Sequence, residues 1–197
     1  SPVVDASAAG TTITKAEIVD SYDLGVKYQS ANFIFSGAIF TYEYSDYQQS
    51  YTDQETMQSI TVTVGDSTMS GIEGMATYNY SDTLTFTASL GFLDAEFADN
   101  TSDGSPFQYG GNKFRLAPEV SGAININKVV HFDNWTMDVN WLTSFQSEVF
   151  FESSNYPGMS QDTYSLTDFS LKLNRESSEF AYEFYVNNLF DKEFLID

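Results

Sequence analysis

The residues able to do chemistry in this sequence are few, and their types point to binding more than to bond making. His131, in Val130-His131-Phe132, is the single histidine, and there is no cysteine. A Ser-His-Asp triad or a His-ligated metal would have to use that one ring. Thiolate nucleophiles, thiolate zinc sites and disulfides are excluded together. A second group lies in Asp94-Ala95-Glu96 to Asp99-Asn100-Thr101-Ser102-Asp103-Gly104. Its carboxylates Asp94, Glu96, Asp99 and Asp103 are the hard oxygen donors that calcium prefers, so they are the candidate cation ligands. The twelve-residue calcium-loop pattern nevertheless fails, because its third position would be Thr101 and its twelfth Gly110 rather than Glu. A third group is aromatic: Tyr47, Tyr51, Phe107, Tyr109 and Tyr156, all in polar connections. Rings with a polar tip suit flat, partly polar solutes, and the competing use of the same rings is packing of loop on loop.

The elements that must position these groups are strands. The chain has 197 residues, 42% hydrophobic and 16% aromatic, which is one domain or part of one and rules out wholesale disorder. Asp and Glu total 28 against 8 Lys and Arg, a formal charge of −20, so phosphate backbones are repelled and nucleic acid is excluded as a partner. No apolar run approaches the length of a spanning helix, and Ser1-Pro2-Val3-Val4-Asp5 lacks the basic start and apolar stretch of a signal peptide. Period-two alternation, by contrast, recurs along the whole chain. Tyr22, Leu24, Val26 and Tyr28 alternate with polar neighbours, as do Leu84 to Phe92, Phe114 to Ile126, Trp135 to Phe145, Phe169 to Leu173 and Phe180 to Val186. Phe33 to Tyr44 is apolar on both faces in places, and Ile60 to Tyr80 is one very long strand or two broken at Gly65-Asp66. About eight strands result, each long enough to cross a bilayer at a tilt.

Their connections alternate in length. Short turns fall at Ser30-Ala31-Asn32, Ser81-Asp82, Val130 to Asn134 and Glu176-Ser177-Ser178; long polar connections run from Ser45 to Met57, Ala98 to Asn112 and Glu152 to Gln161. Outer-membrane barrels sort their loops in this way and soluble sandwiches have no reason to. Tyr78, Tyr80 and Trp135 beside short turns, with Tyr42, Tyr44, Phe150 and Phe151 beside long loops, supply material for two interfacial girdles. The expected fold class is therefore all-β, a transmembrane antiparallel barrel segment, with Lys27, Arg115 and Lys172 facing the lumen, there to pair with Asp23, Glu119 or Asp168 or to contact whatever fills it. Lipid and lipopolysaccharide are its surroundings, and the acidic loop could bridge divalent cations to the latter. Followed through, the first strand, Tyr22 to Gln29, descends and the last, Glu179 to Phe190, ascends. Both ends then lie on the long-loop side, which predicts at least one further strand beyond each end. Pro118 fits a strand start, since proline cannot donate within a ladder.

Several motifs in order then resemble one family. Asn187-Asn188-Leu189-Phe190-Asp191-Lys192-Glu193-Phe194 resembles the "xNLFDKEY" signature near the C-terminus of TonB-dependent outer-membrane receptors. Ser21 to Lys27 resembles their "SYELGLK" strand, Ser70-Gly71-Ile72-Glu73-Gly74 their "xGxE" strand, Leu90 to Phe97 the ascending strand after it, and Ala117-Pro118-Glu119 the "APE" that heads the next. The resemblance covers Ala16 to Phe194, with residues 1–197 read as the C-terminal part of the barrel domain. It implies a 22-stranded barrel of a Gram-negative outer membrane, filled by a plug and energised by TonB through an N-terminal box, neither of which is in this chain. It also implies a final descending strand after Phe194. No catalysis follows; the implied function is import of a large scarce solute, first a ferric siderophore, with cobalamin, haem or oligosaccharide behind it. The alternatives are a small outer-membrane barrel or surface-assembly component with a structural or adhesive role, and a soluble β-sandwich.

Overall fold

Long alternating stretches broken by short turns can only fold back on themselves, each strand beside its sequence neighbours. The computed structural model describes residues 4–5, 12–13, 16–52, 57–98, 109–175 and 178–196, and among these no helix forms. Eight strands make one antiparallel sheet: β1 (Ile18–Gln29), β2 (Phe33–Thr52), β3 (Ser59–Ser81), β4 (Leu84–Phe97), β5 (Val120–Phe132), β6 (Trp135–Gln146), β7 (Tyr164–Arg175) and β8 (Ala181–Val186). Sheet order follows chain order, so β1 and β8 are its edges and do not pair with each other. These eight strands are an open wall, not a closed eight-stranded barrel. Two two-residue ladders stand apart from it: Val4–Asp5 with Thr12–Ile13, and Val149–Phe150 with Ser160–Gln161.

The short turns share one end of the sheet. Between β5 and β6 the register closes Phe132 on Trp135 across Asp133-Asn134, with Asp133 at φ 50°. That left-handed conformation is what a two-residue hairpin demands and what Asp tolerates. Between β1 and β2 the turn is held by Ser30, whose Oγ accepts the Phe33 N–H at 3.2 Å.

Register assigns the faces, because cross-strand partners share one side of a sheet. Leu24, Ile39, Ile72, Phe92 and Val120 are successive partners on one face, as are Tyr28, Phe35, Ala76, Ala88, Ile124 and Thr143. Trp141, Phe169 and Val186 continue that apolar face. The other face carries the row Thr85, Asn127, Asn140, Ser170 and Tyr185, tied by Asn125 Nδ2 to Asn140 Oδ1 at 2.8 Å and Asn127 Nδ2 to Asp138 Oδ1 at 2.6 Å. Lys27 and Lys172 belong to this polar face.

Among the described residues no second layer covers the apolar face. Leu24 is 70% exposed and Phe184 64%, and the accessible surface is 13229 Å², against roughly 9,300 Å² for a compact protein of this mass. Water does not tolerate a continuous apolar wall of this size, whereas hydrocarbon does. A water-soluble sandwich would bury these rows, and this fold does not. Rings gather at the turn end: Tyr28 beside Phe33 at 6.3 Å, Tyr78 beside Tyr80 at 6.4 Å, and Trp135 beside Tyr182 at 6.4 Å with the Arg175 guanidinium 5.8 Å over the indole.

Close packing within the wall uses glycine under rings. At Gly71 an added Cβ would meet Phe40 Cζ and the Phe92 carbonyl oxygen at 2.6 Å each. At Gly122 it would meet the Ser89 carbonyl oxygen at 2.6 Å and Phe145 Cε1 at 2.8 Å. In each case an aromatic side chain from the neighbouring strand lies over the bare backbone.

Four expectations need correction. The connection read as Ser45 to Met57 is mostly ladder: β2 and β3 resume pairing past a bulge and continue to Thr52 and Ser59. The alternation from Phe114 predicts a strand, but β5 begins at Val120, after Pro118. β8 stops at Val186 rather than running to Phe190, since Asn188 and Asp191 adopt φ of 51°. Tyr42 and Tyr44 are no girdle: by register they sit on the polar face, Tyr42 against Phe40 at 5.7 Å. The turn at Glu176-Ser177 lies outside the described residues.

Candidate functional site

At the loop end, β2 and β3 project as a hairpin beyond their neighbours. The register shifts around Tyr47, where Asp46 has φ 55° and Gly65 φ 112°, and the Asp46 N–H donates to Asp66 Oδ1 at 3.3 Å. A bulge bends a strand, and the Gly65 conformation is one a side chain would resist. Beyond this bend the hairpin leans over the polar face: Val64 is 1% exposed and packs with Ala95, Phe97 and Phe114.

Those four residues form a buried hydrophobic cluster, bordered by Tyr47, Met69, Leu93, Tyr109 and Ala117. Met69, Leu93, Ala95 and Phe97 come from the polar face by register, so the cluster replaces that face's wet surface at the loop end only. Phe97 and Phe114 are 4.6 Å apart, Tyr47 is 5.4 Å from Phe114, and Tyr109 is 5.5 Å from Phe97. Phe114 is delivered by a single antiparallel bridge, Glu96 opposite Lys113, with the Phe114 N–H on the Ala95 carbonyl at 3.0 Å. Its apolar alternation therefore reports packing onto this core rather than membership of β5.

The connection after β6 fastens this arrangement. Asn155, at φ 47°, accepts the Lys113 N–H at Oδ1 (2.7 Å) and donates from Nδ2 to the Lys113 carbonyl (3.0 Å). Asn112 Nδ2 donates to the Ser153 carbonyl at 2.9 Å, and Gln49 Nε2 to Ser153 Oγ at 2.9 Å. The Leu116 N–H donates to the Phe150 carbonyl at 2.8 Å. Further along, Gln161 Oε1 accepts the Leu195 N–H at 2.6 Å, and Phe194 stacks on Tyr164 at 4.9 Å and 13°.

Of the aromatic candidates, Tyr47 and Tyr109 meet in the one cluster, while Tyr156 stands apart at 67% exposure. Phe107 and the Tyr51 side chain lie outside the described residues. Burial, then the charge of Glu17, then Tyr44, pushes the Tyr47 phenol above its usual range, with Arg115 opposing. Burial and then Glu152 do the same to Tyr109. Both rings are neutral hydrogen-bonding groups at ordinary pH.

Of the acidic candidates, Asp94 and Glu96 fall on the outward side, opposite Ser70 and Thr68, above the apolar rows. Asp99 and Asp103 lie outside the described residues, and among the described residues no three metal-ligating side chains come together. The expected cation pairings need correction. Glu119 pairs with Lys113, Asp168 Oδ1 accepts the Asn188 N–H at 2.8 Å, and register sets Lys172 between Asp138 and Glu183. Arg115 belongs to the loop, not to a lumen-facing strand position. His131 is a turn-end residue opposite Thr136, its Nδ1 3.3 Å from Thr136 Oγ1. Sequence reasoning missed Asn155, Ser153 and Gln49; Asn155 had a local signal, an Asn-Tyr-Pro-Gly turn composition, but its partner is 42 residues away.

A family model described as TonB dependent receptor-like, beta-barrel, matches residues 3–189. The pesticin receptor of Yersinia pestis is 22% identical over 179 residues, covering 91% of this chain and 25% of its own length. The crystal structure of the ferric yersiniabactin uptake receptor FyuA from Yersinia pestis superposes with a TM-score of 0.80 at 21% identity, over 98% of this chain and 28% of that one. That of BauA, the ferric preacinetobactin receptor from Acinetobacter baumannii, does so with a TM-score of 0.72 at 17% identity, over 96% and 28%. The chain thus spans about a quarter of the length of these relatives.

Proposed function

The chain belongs to the TonB-dependent receptor-like β-barrel family, and from that membership we propose that it forms part of the wall and outer mouth of a Gram-negative outer-membrane receptor that imports a ferric siderophore. The observation that carries this reading is the single-layer wall itself, apolar on one face and polar on the other, with its loop end built into a folded mouth. The relatives named for ferric siderophore uptake support the cargo. On this reading the apolar face meets lipid, and the polar face lines the channel against the plug. TonB acts through parts of the receptor outside these residues, while Asp94 and Glu96 look toward the lipopolysaccharide layer. The wall does no covalent chemistry. Its contribution is to hold a hydrated surface and a shaped mouth in place while the solute passes.

The test is radioiron uptake by an iron-starved strain lacking the gene, supplied with a panel of ferric hydroxamate, catecholate and citrate complexes. Restored uptake of one complex on complementation is expected. Uptake of every complex unchanged by the deletion would remove the proposal. An adhesive role for a self-closed small barrel is not favoured, because the edge strands β1 and β8 do not meet.

A further inference from the structure

The ties at the loop end converge on one segment. The connection 147–163 receives the hairpin through Gln49, the segment after β4 through Asn112, Lys113 and Leu116, and the C-terminal stretch through Leu195. The hairpin and the segment after β4 are in turn joined by Tyr47, Val64, Phe97 and Phe114. Hairpin, segment and connection therefore each touch the other two, so loosening any of them exposes surface that its neighbours cover. Such mutual cover is what makes neighbouring segments open as one cooperative unit. At the hairpin, Gln49 Oε1 is buried with no hydrogen-bond partner among the described residues and so offsets part of what docking gains.

We propose that the hairpin flanks 47–52 and 57–65, residues 109–119 and residues 147–163 form a single panel over the polar face, locked by the grip of Asn155 on the Lys113 backbone. Resting on the barrel reading above, a solute passing this part of the mouth meets one panel that opens as a whole, not three loops that move separately.

Hydrogen exchange read by mass spectrometry, on the full receptor in detergent micelles with no solute added, tests this independently of transport. Asn155→Ala removes both arms of the lock. Exchange is expected to rise about tenfold, equally, in peptides covering 57–65, 109–119 and 147–161, with 84–92 and 120–132 unchanged; tenfold corresponds to about 1.4 kcal/mol of lost protection. Gln49→Ala, at the far side of the panel, is expected to accelerate 109–119 as well as its own hairpin, and Ser30→Ala at the turn end to leave all three unchanged. Acceleration confined to the segment that carries each substitution would overturn the panel. A panel that behaves as expected in a receptor that takes up no ferric complex would overturn only the cargo.

Discussion

Asn188 holds the backbone of Lys192 at both of its polar groups: the Lys192 N–H donates to Asn188 Oδ1 and Asn188 Nδ2 donates to the Lys192 carbonyl, each at 2.9 Å. Its own N–H reaches Asp168 Oδ1, and it adopts φ 51°, which Asn tolerates better than most residues. The Asn-Asn-Leu-Phe-Asp-Lys stretch is therefore a clamp that ends β8 and turns the chain back toward Tyr164. Asn188→Ala is expected to lower stability by about 1–3 kcal/mol, and Asn188→Asp, which keeps the acceptor, by less. Urea unfolding in micelles reads the difference; an unchanged midpoint for Asn188→Ala would show the clamp to be ornamental.

Neighbouring residues of β4 should respond oppositely to the same charge. Leu90 lies on the apolar face between Gly74 and Gly122, and Ser89 on the polar face between Met75 and Ala123. Leu90→Arg is expected to cost about 2–4 kcal/mol of barrel stability in lipid vesicles, and Ser89→Arg little. Equal costs would reverse or dissolve the assignment of faces.

Gly71→Ala forces a methyl into the Phe40 ring and the Phe92 carbonyl, a clash expected to cost about 1–3 kcal/mol. Gly25→Ala meets only the Gly37 carbonyl oxygen at an ordinary 3.6 Å and is expected to be tolerated. Heat resistance of the folded band on unboiled gels separates the two, and parity between them would refute the ring-over-glycine account.

Ser67 is 2% exposed and its hydroxyl has no hydrogen-bond partner among the described residues, with Phe97 its cross-strand neighbour. Since a buried hydroxyl without a partner is a cost, Ser67→Ala is expected to be neutral or to stabilise by about 1 kcal/mol. A marked loss of stability would mean that the hydroxyl does bond in the working protein.

Alkali should loosen the loop end. The Tyr47 pKa is raised above 10.0 in the fold, so its contribution is complete below the ordinary tyrosine value and is lost as pH rises through the folded value. Protection of 109–119 from exchange is expected to fall above pH ~10 and to fall less in Tyr47→Phe. Identical alkaline profiles for the two proteins would contradict this.

Faces, strand number and the alternation of turns with loops follow from period-two patterning, since a one-residue slip would move the whole apolar row of a strand to the polar face. What happens at the loop end does not follow from it. Phe114 and Leu116 alternate like a strand, yet Phe114 is apolar because it plugs the core under the hairpin. Tyr42 and Tyr44 look like interfacial rings by position, but their parity places them against Phe40 and Phe114. Asn155 and Asn188 carry no periodic signal, for each acts through a peptide fixed by the rest of the fold. Pairings that depend on segments folding back over the sheet are invisible to local spacing.

A wall one residue thick also separates two kinds of inheritance. In β4 the codons for Leu90 and Ser89 sit side by side, yet one side chain is judged by its fit to the apolar face and the other by its fit to the polar one. Substitutions at every second position can thus recast the polar face while the residues of the apolar face stay as they were.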